Sequence, residues 1–209
     1  IQLFNQDCMK AMKEMKDNQF DLAICDPPYG IGIDGQKKYV SKTNKRHNRK
    51  YHKKKGWDQQ RPSKEYFEEL FRVSKNQIIW GANYYPQNLC SSKGWIVWDK
   101  GQYGLTMSDC ELAFSSFERA TRIYKCNRIQ IRIDGSIHPT QKPISLYIWL
   151  LSNYAKEGDK ILDTHLGSGS IAIACHDMKF DLTGFEIDEE YYQAACKRLE
   201  EYQRQLKLF

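Results

Sequence analysis

The chain has 209 residues, 41% of them apolar, with 13 Tyr, 9 Phe and 5 Trp, which suits one compact domain and excludes a disordered chain. Its formal charge of +6 is uneven: residues 37–55 hold ten Lys or Arg and no acid, so the remainder is slightly acidic. No apolar run reaches the roughly 18–20 residues of a membrane span, no signal-peptide pattern opens the chain, and the seven cysteines show neither Cys-x-x-Cys spacing nor a zinc-ligand cluster. They read as small buried hydrophobes in a reducing cytoplasm, with no metal expected.

In chain order, "IQLF" (1–4) reads as a short strand and "CMKAMKEMK" (8–16) as a helix, with Met9, Met12 and Met15 at helical spacing. "FDLAICD" (20–26) is a short apolar run closed by a breaker, the pattern of a buried strand. A basic loop over 31–57 follows. Ser63 is an N-cap candidate for "KEYFEELFRVSK", with Tyr66 where a capping box would have Glu. "QIIWGA" (77–82), "GWIVWDK" (94–100) and "DCELAFSSF" (109–117) are strand-like; Trp80 and Trp95 read as core, and Trp98 as packing first and pocket lining second. "TRIYKCNRIQIRID" (121–134) alternates loosely, like an edge hairpin. "PISLYIWLLSNYAKEGDK" (143–160) is a helix opened by Pro143 and stopped at Gly158. "KILDT" (160–164) is a strand, "HLGSGS" (165–170) a glycine loop and "IAIACHDM" (171–178) a helix. The last strand is "LTGFEID" (182–188) and the last helix "EEYYQAACKRLEEYQRQL" (189–206). Strands alternating with helices predict an α/β domain over 1–209, with a mostly parallel sheet covered on both faces.

Two strand ends carry chemistry, and in such sheets ligands bind at the carboxyl ends of strands beside the switch in strand order. In "DTHLGSGS", Gly167 and Gly169 permit positive φ and close backbone approach, while Ala172 stands where a third glycine would. The following strand ends in Glu186 roughly 20 positions later, placed to accept hydrogen bonds from both hydroxyls of a ribose. Together they point to a nucleoside cofactor, and the lack of Gly-Lys-Ser/Thr disfavours a triphosphate. At the other strand end, Asp26 precedes two prolines that fix φ and remove two amide donors. The Asp26 carboxylate and the Pro27 carbonyl therefore form a stiff acceptor pair suited to an amino group, and Tyr29 offers a flat face for a planar base.

These residues resemble the amino-methyltransferases of DNA, which use S-adenosylmethionine to methylate exocyclic amines. "DPPY" (Asp26, Pro27, Pro28, Tyr29) is similar to their catalytic motif, "LGSG" after Asp163 to their cofactor loop, and "HPTQKP" (138–143) to the segment over the methionine end. The order of these motifs resembles the permuted β-class, N6-adenine enzymes, over nearly the whole chain. The resemblance implies a Rossmann-like, single-domain, seven-stranded sheet of order 3-2-1-4-5-7-6, strand 7 antiparallel, with "IQLF" as strand 3 at the edge and "DLAICD" beside "KILDT". It implies a cofactor site drawn from Asp7, Cys8, Asp26, His138, Thr140, Gln141, Lys142, Asp163, Thr164, His165, Leu166, Gly167, Ser168, Gly169, Ser170, Phe185, Glu186 and Ile187.

The substrate implied is DNA, with the base flipped out or single-stranded. Lys37, Lys38, Lys45, Arg46, Arg49, Lys50, Lys53, Lys54 and Lys55 of the basic loop would meet phosphates. Arg119, Arg122, Arg128 and Arg132 lie in a short target-recognition segment, 118–137, and are candidates for phosphate or guanine contacts. So short a segment suggests a short or degenerate recognition site, or help from a second subunit; a homodimer or a restriction-system partner is among the expectations, in a bacterial or phage-encoded cytoplasmic enzyme. Methylation of cytosine N4 is the nearest alternative, a protein-amide substrate fits Asp26 poorly, and a non-enzymatic nucleic-acid-binding module is the alternative of another class.

Overall fold

Two short apolar runs that end in aspartate, one from each half of the chain, lie side by side at the centre of one sheet. The computed structural model describes residues 1–35, 51–104, 108–127 and 136–205. Its elements are β1 (Gln2–Asn5), α1 (Cys8–Glu14), β2 (Phe20–Cys25), α2 (Lys64–Val73), β3 (Ser74–Trp80), β4 (Gly94–Asp99), β5 (Cys110–Ser115), β6 (Arg122–Lys125), α3 (Ile144–Tyr154), β7 (Lys160–Asp163), α4 (Ser170–Met178), β8 (Asp181–Glu186) and α5 (Glu189–Arg204). Two single 3₁₀ turns, Ala82–Tyr84 and Pro86–Asn88, follow β3.

The sheet has eight strands in the order β1-β8-β7-β2-β3-β5-β4-β6. The first seven positions reproduce the expected 3-2-1-4-5-7-6, with β5 antiparallel to β3 and β4. The N-terminal strand β1 lies parallel to β8 with Asn5 opposite Glu186, so the chain's first residues complete the edge of the cofactor half. The eighth strand corrects the expected count. Arg122–Lys125 adds parallel to β4, with Arg122 opposite Ile96 and Lys125 opposite Asp99, while the second arm of the expected hairpin lies outside the described residues. Its Tyr124 ring packs 5.3 Å from that of Trp149 on α3, while Ile123 stays exposed, so one apolar side chain anchors the strand at an edge.

Period-two alternation splits the core across the sheet. Leu22, Ile24, Ile78, Trp80, Ile96 and Trp98 face α3, α4 and α5, whereas Ala23, Cys25, Ile79 and Leu162 face α1 and α2. Each fully buried large apolar side chain contributes about 1.5–3 kcal/mol, and Leu146, Leu150 and Leu151 on α3 are all fully buried. Helix α3 ends at Tyr154, earlier than Gly158, because Ala155 is already extended. Asp7 caps α1, accepting from the Met9 amide at 2.9 Å; Ser63 precedes α2 but makes no side-chain cap bond.

The connection from β7 runs through α4 on one face, and that from β2 leads to α2 on the other, so β7 and β2 flank the switch point. Asp163 and Asp26 therefore emerge at the same edge of the sheet. All seven cysteines are free thiols. Cys8, Cys25 and Cys175 are buried as expected, but Cys90 is exposed.

Candidate active site

β2 runs apolar up to Cys25, and Pro27 and Pro28 stop it, leaving Asp26 at the mouth of a cavity of about 450 Å³. Its walls include Pro27, Pro28, Tyr29, Tyr84, Trp98 and Glu111. Tyr29 does more than offer a ring. Its hydroxyl donates to Asp26 Oδ1 at 2.7 Å, and its ring stacks on Tyr84 with centroids 5.0 Å apart and planes 18° apart. Gly81, at φ 68°, comes so close that any side chain there would enter the Tyr29 ring. Trp98 is both core and wall: it is 1% exposed, and its indole donates to the Cys126 carbonyl at 2.9 Å.

The second oxygen of Asp26 is taken by Lys142, whose ammonium donates to Oδ2. Lys142 also lies 3.2 Å from Glu111 Oε2, and Glu111 Oε1 is 3.3 Å from Lys100 Nζ. Two acids and two lysines thus form a neutral, mostly buried quartet around the cavity floor. Burial raises Asp26 above the ordinary carboxylate range while the Lys142 charge opposes it. The Tyr29 phenol is raised well above its usual value by burial and by the Asp26 charge, so it stays a donor. Sequence reasoning gave Lys142 to the cofactor, read Lys100 with Trp98 and Asp99 as a strand end that could line the base pocket, and missed Glu111. The available signal was Glu111 itself, an acid inside the strand "CELAFS".

On the cofactor side, the Glu186 carboxylate accepts from the Gly167 amide at 2.8 Å and the Asp188 amide at 2.9 Å, one per oxygen. Each oxygen keeps a lone pair. Gly167 and Gly169 have φ of 52° and 68°, and the nearest group to a Cβ at Gly167 would be the His138 ring at 3.9 Å. Leu166 N donates to Phe185 O, and Arg198 holds Ser168 O and Ser170 Oγ at 2.9 and 3.0 Å. Thr164 Oγ1 lies 2.7 Å from the Tyr66 hydroxyl and 2.9 Å from His165 Nδ1. His165 is held down to about 4 by burial, so it is neutral. Ile187 is exposed, Phe185 is buried under Phe4, and Asp7 and Cys8 sit just past the end of β1.

The segment expected over the methionine end is tightly built. His138 packs between Trp57 and Tyr191, with centroids 5.1 and 4.4 Å away, and its Nδ1 lies 3.1 Å from Thr140 Oγ1. Burial holds it down to about 3. Gln141, 4% exposed, accepts from the Ile137 amide at 3.0 Å.

These residues fit a cationic nucleoside cofactor. Asp163, 2% exposed, is pushed up to about 8 by burial, with the charges of Asp26 and Glu186 adding to it. A crowded set of carboxylates is what a sulfonium and an ammonium would relieve. The free lone pairs of Glu186 suit the two ribose hydroxyls.

Among the basic residues, Lys37, Lys38, Lys45, Arg46, Arg49 and Lys50 lie outside the described residues, as do Arg128 and Arg132. Lys53 and Lys54 are exposed. Lys55 departs from the expectation: its ammonium pairs with Asp188 at 2.5 Å and Glu190 at 2.6 Å and sits 4.3 Å over the Tyr191 ring, which leaves it committed to the protein. Arg119 and Arg122 also correct the reading. Ser115 pairs with Gly94 and Cys110 with Asp99, so the chain leaves β5 at the sheet edge opposite Asp26. Arg119 there donates to the Asn153 carbonyl and lies over the Phe117 and Tyr154 rings. Arg122 enters β6 from the same far edge, opposite Ile96.

Among the described residues no helix is long and apolar enough to cross a membrane, and no His/Cys/Asp/Glu group is arranged to hold a metal ion. A family model described as DNA methylase, covering both N6 and N4 amino-methylation by its name, matches residues 45–197. The chain is 25% identical over 248 aligned residues to the type II methyltransferase M.HpaI of Haemophilus parainfluenzae, covering 95% of this chain and 74% of that protein. A segment of 63 residues is 40% identical to the type II methyltransferase M2.DpnII of Streptococcus pneumoniae, over 30% of this chain and 24% of that one. Among solved structures, the M1.HpyAVI–SAM complex superposes with a TM-score of 0.63 at 20% identity, covering 95% of this chain and 99% of that chain. The PvuII DNA methyltransferase, cytosine-N4-specific, does so at 0.61 and 10% identity, over 99% and 87%. The family model's match over most of the sequence leads to one conclusion: the chain belongs to the DNA methylase family, the S-adenosylmethionine-dependent amino-methyltransferases of DNA.

Proposed function

We propose that the protein methylates the N6 amine of adenine in DNA, with the base turned out of the duplex into the Asp26 cavity. The observation that carries this is Asp26 itself, a half-buried carboxylate followed by two residues without amide donors, opening on an aromatic-walled cavity that Pro139, Thr140, Gln141 and Lys142 also line. S-adenosylmethionine supplies a methyl group already activated by the sulfonium charge. The protein's part is placement. Asp26 and the Pro27 carbonyl accept the two amine hydrogens, which directs the nitrogen lone pair outward, and in-line positioning of this kind can supply roughly 7–11 kcal/mol. With the cofactor bound, the amine nitrogen would shed a proton on taking the methyl group, and the Asp26 carboxylate is placed to receive that proton and pass it to water. Tyr29 and Tyr84 support the ring.

Cytosine N4 is the second reading, because the family covers both amines and the PvuII enzyme shares the fold. Asp rather than Ser at position 26 favours adenine. Lys53 and Lys54 would steer the DNA backbone, and seven free thiols suit a reducing cytoplasm. The test is nucleoside mass spectrometry of unmethylated plasmid DNA incubated with protein and cofactor. 6-Methyladenine is expected; 4-methylcytosine alone would replace this reading with the second.

A further inference from the structure

The Asp26 half of the acceptor pair is already engaged. Tyr29 holds Asp26 Oδ1 at 2.7 Å and Lys142 holds Oδ2, so both carboxylate oxygens have donors before any base arrives. Lys142 is 2% exposed at its side chain, with its ammonium 5.2 Å from the Trp80 ring centroid, so its charge has nowhere in solvent to go. It does have a second anion. Glu111 Oε2 stands 3.2 Å away, and Lys100 holds the other oxygen of Glu111 at 3.3 Å.

We infer that Lys142 is a positioning residue that keeps Asp26 ionised and yields it to the incoming amine by shifting onto Glu111. The inference rests on the reading of Asp26 as the amine acceptor. An ammonium at Oδ2 is itself a nitrogen donor on that oxygen, so it stands in for the amine and leaves when the amine replaces it. Glu111 makes that exchange possible, since Lys142 moves between two carboxylates without crossing into an apolar region. Lys100 keeps Glu111 from being left a lone buried charge once Lys142 has two anions to choose from.

Other groups facing Asp26 do not do this. Tyr85 from the turn after β3, Tyr147 on α3 and Tyr29 all remain phenols raised by burial, and Asp163 on β7 is a carboxyl raised to about 8 that brings no positive charge. Among the described residues, Lys142 is the cation in contact with Asp26. Burial already raises Asp26, with Lys142 as the largest opposing influence, and Glu111 adds to the rise. Removing Lys142 and removing the Glu111 charge should therefore move Asp26 in opposite directions.

The experiment follows tritium transfer from S-adenosylmethionine to unmethylated plasmid DNA across pH, with cofactor affinity measured by calorimetry. In Lys142→Met the acid limb of kcat/KM should rise by about one pH unit or more, so that the rate at pH values below the limb drops roughly tenfold and recovers in alkaline buffer. Lys142→Arg should keep the limb in place. Glu111→Gln should lower the limb and raise KM for DNA more than it lowers kcat, since Lys142 then competes for Asp26 without an alternative. Were Lys142→Met to fail to fold, Glu111→Gln alone decides: a limb that rises or stays put overturns the inference. A loss in Lys142→Met that is equal at all pH values, or a loss of cofactor binding, overturns it as well. Near wild-type turnover in Asp26→Ala would instead sink the reading beneath it.

Discussion

Lys55, at the base of the basic segment, places its ammonium 2.5 Å from the Asp188 carboxylate, two residues past Glu186 at the end of the cofactor strand. The segment's stem is stapled nearby. Asp34 accepts from the Lys55 and Gly56 amides, and the fully buried Asp58 accepts from the Gly30 and Ile33 amides at 2.8 Å each. Trp57, between those staples, lies against His138. The basic segment therefore rises from a fixed base that touches both halves of the site.

That arrangement separates lysines adjacent in sequence. Lys55→Met should cost about 1 kcal/mol of stability and leave the salt dependence of DNA binding unchanged. Lys53→Gln and Lys54→Gln should do the reverse, each lowering the slope of log K against log salt by about 0.9 where it meets a phosphate. Urea denaturation and fluorescence-anisotropy titrations at several salt concentrations check both. A change in slope for Lys55→Met matching that of its neighbours would contradict the assignment.

Gly81→Ala should damage the site from behind. The residue has φ 68°, where a side chain is strained, and its Cβ would enter the Tyr29 ring. The backbone strain is expected to cost about 1–3 kcal/mol. Displacing Tyr29 should detach its hydroxyl from Asp26 and reduce methyl transfer roughly tenfold or more, beyond what lost stability explains. Denaturation and initial rates on the same preparation separate the two effects.

Asp163 gives a proton linkage with a defined sign. Its carboxyl is raised to about 8, from an unfolded value of about 4, by burial and neighbouring charges. Its protonation stabilises the ligand-free fold fully below about pH 4, and that contribution is lost as pH rises towards 8. A cationic cofactor favours the ionised form, so binding near pH 7 should release about one proton and tighten as pH rises to 8. Calorimetry in buffers of different ionisation enthalpy counts that proton, and Asp163→Asn should abolish its release. Proton release unchanged in Asp163→Asn would assign it elsewhere.

Much of this framework is visible in the sequence because it is local. Phe20–Cys25 and Lys160–Asp163 are apolar runs that stop at aspartate, and Gly167, Gly169 and Glu186 lie within one β–α–β unit. Strand order followed from the order of the motifs. Lys142 and Asp26 are 116 positions apart, and nothing in either neighbourhood says that an ammonium from "HPTQKP" reaches a carboxylate of "DPPY". Glu111 was hidden for a related reason: it lies on a strand whose other residues read as core, and its role depends on two lysines from other segments. Arg119 and Lys55 were misread because charge in a sequence does not say which edge of a sheet it reaches or which acid it will meet.

The most direct test of the central claim is Asp26→Ala, assayed for methyl transfer to unmethylated DNA and for S-adenosylmethionine binding in one preparation. Asp26 as the amine acceptor predicts that transfer falls at least ~100-fold, while cofactor affinity stays within about one order of magnitude of wild type. Transfer near the wild-type rate would contradict it.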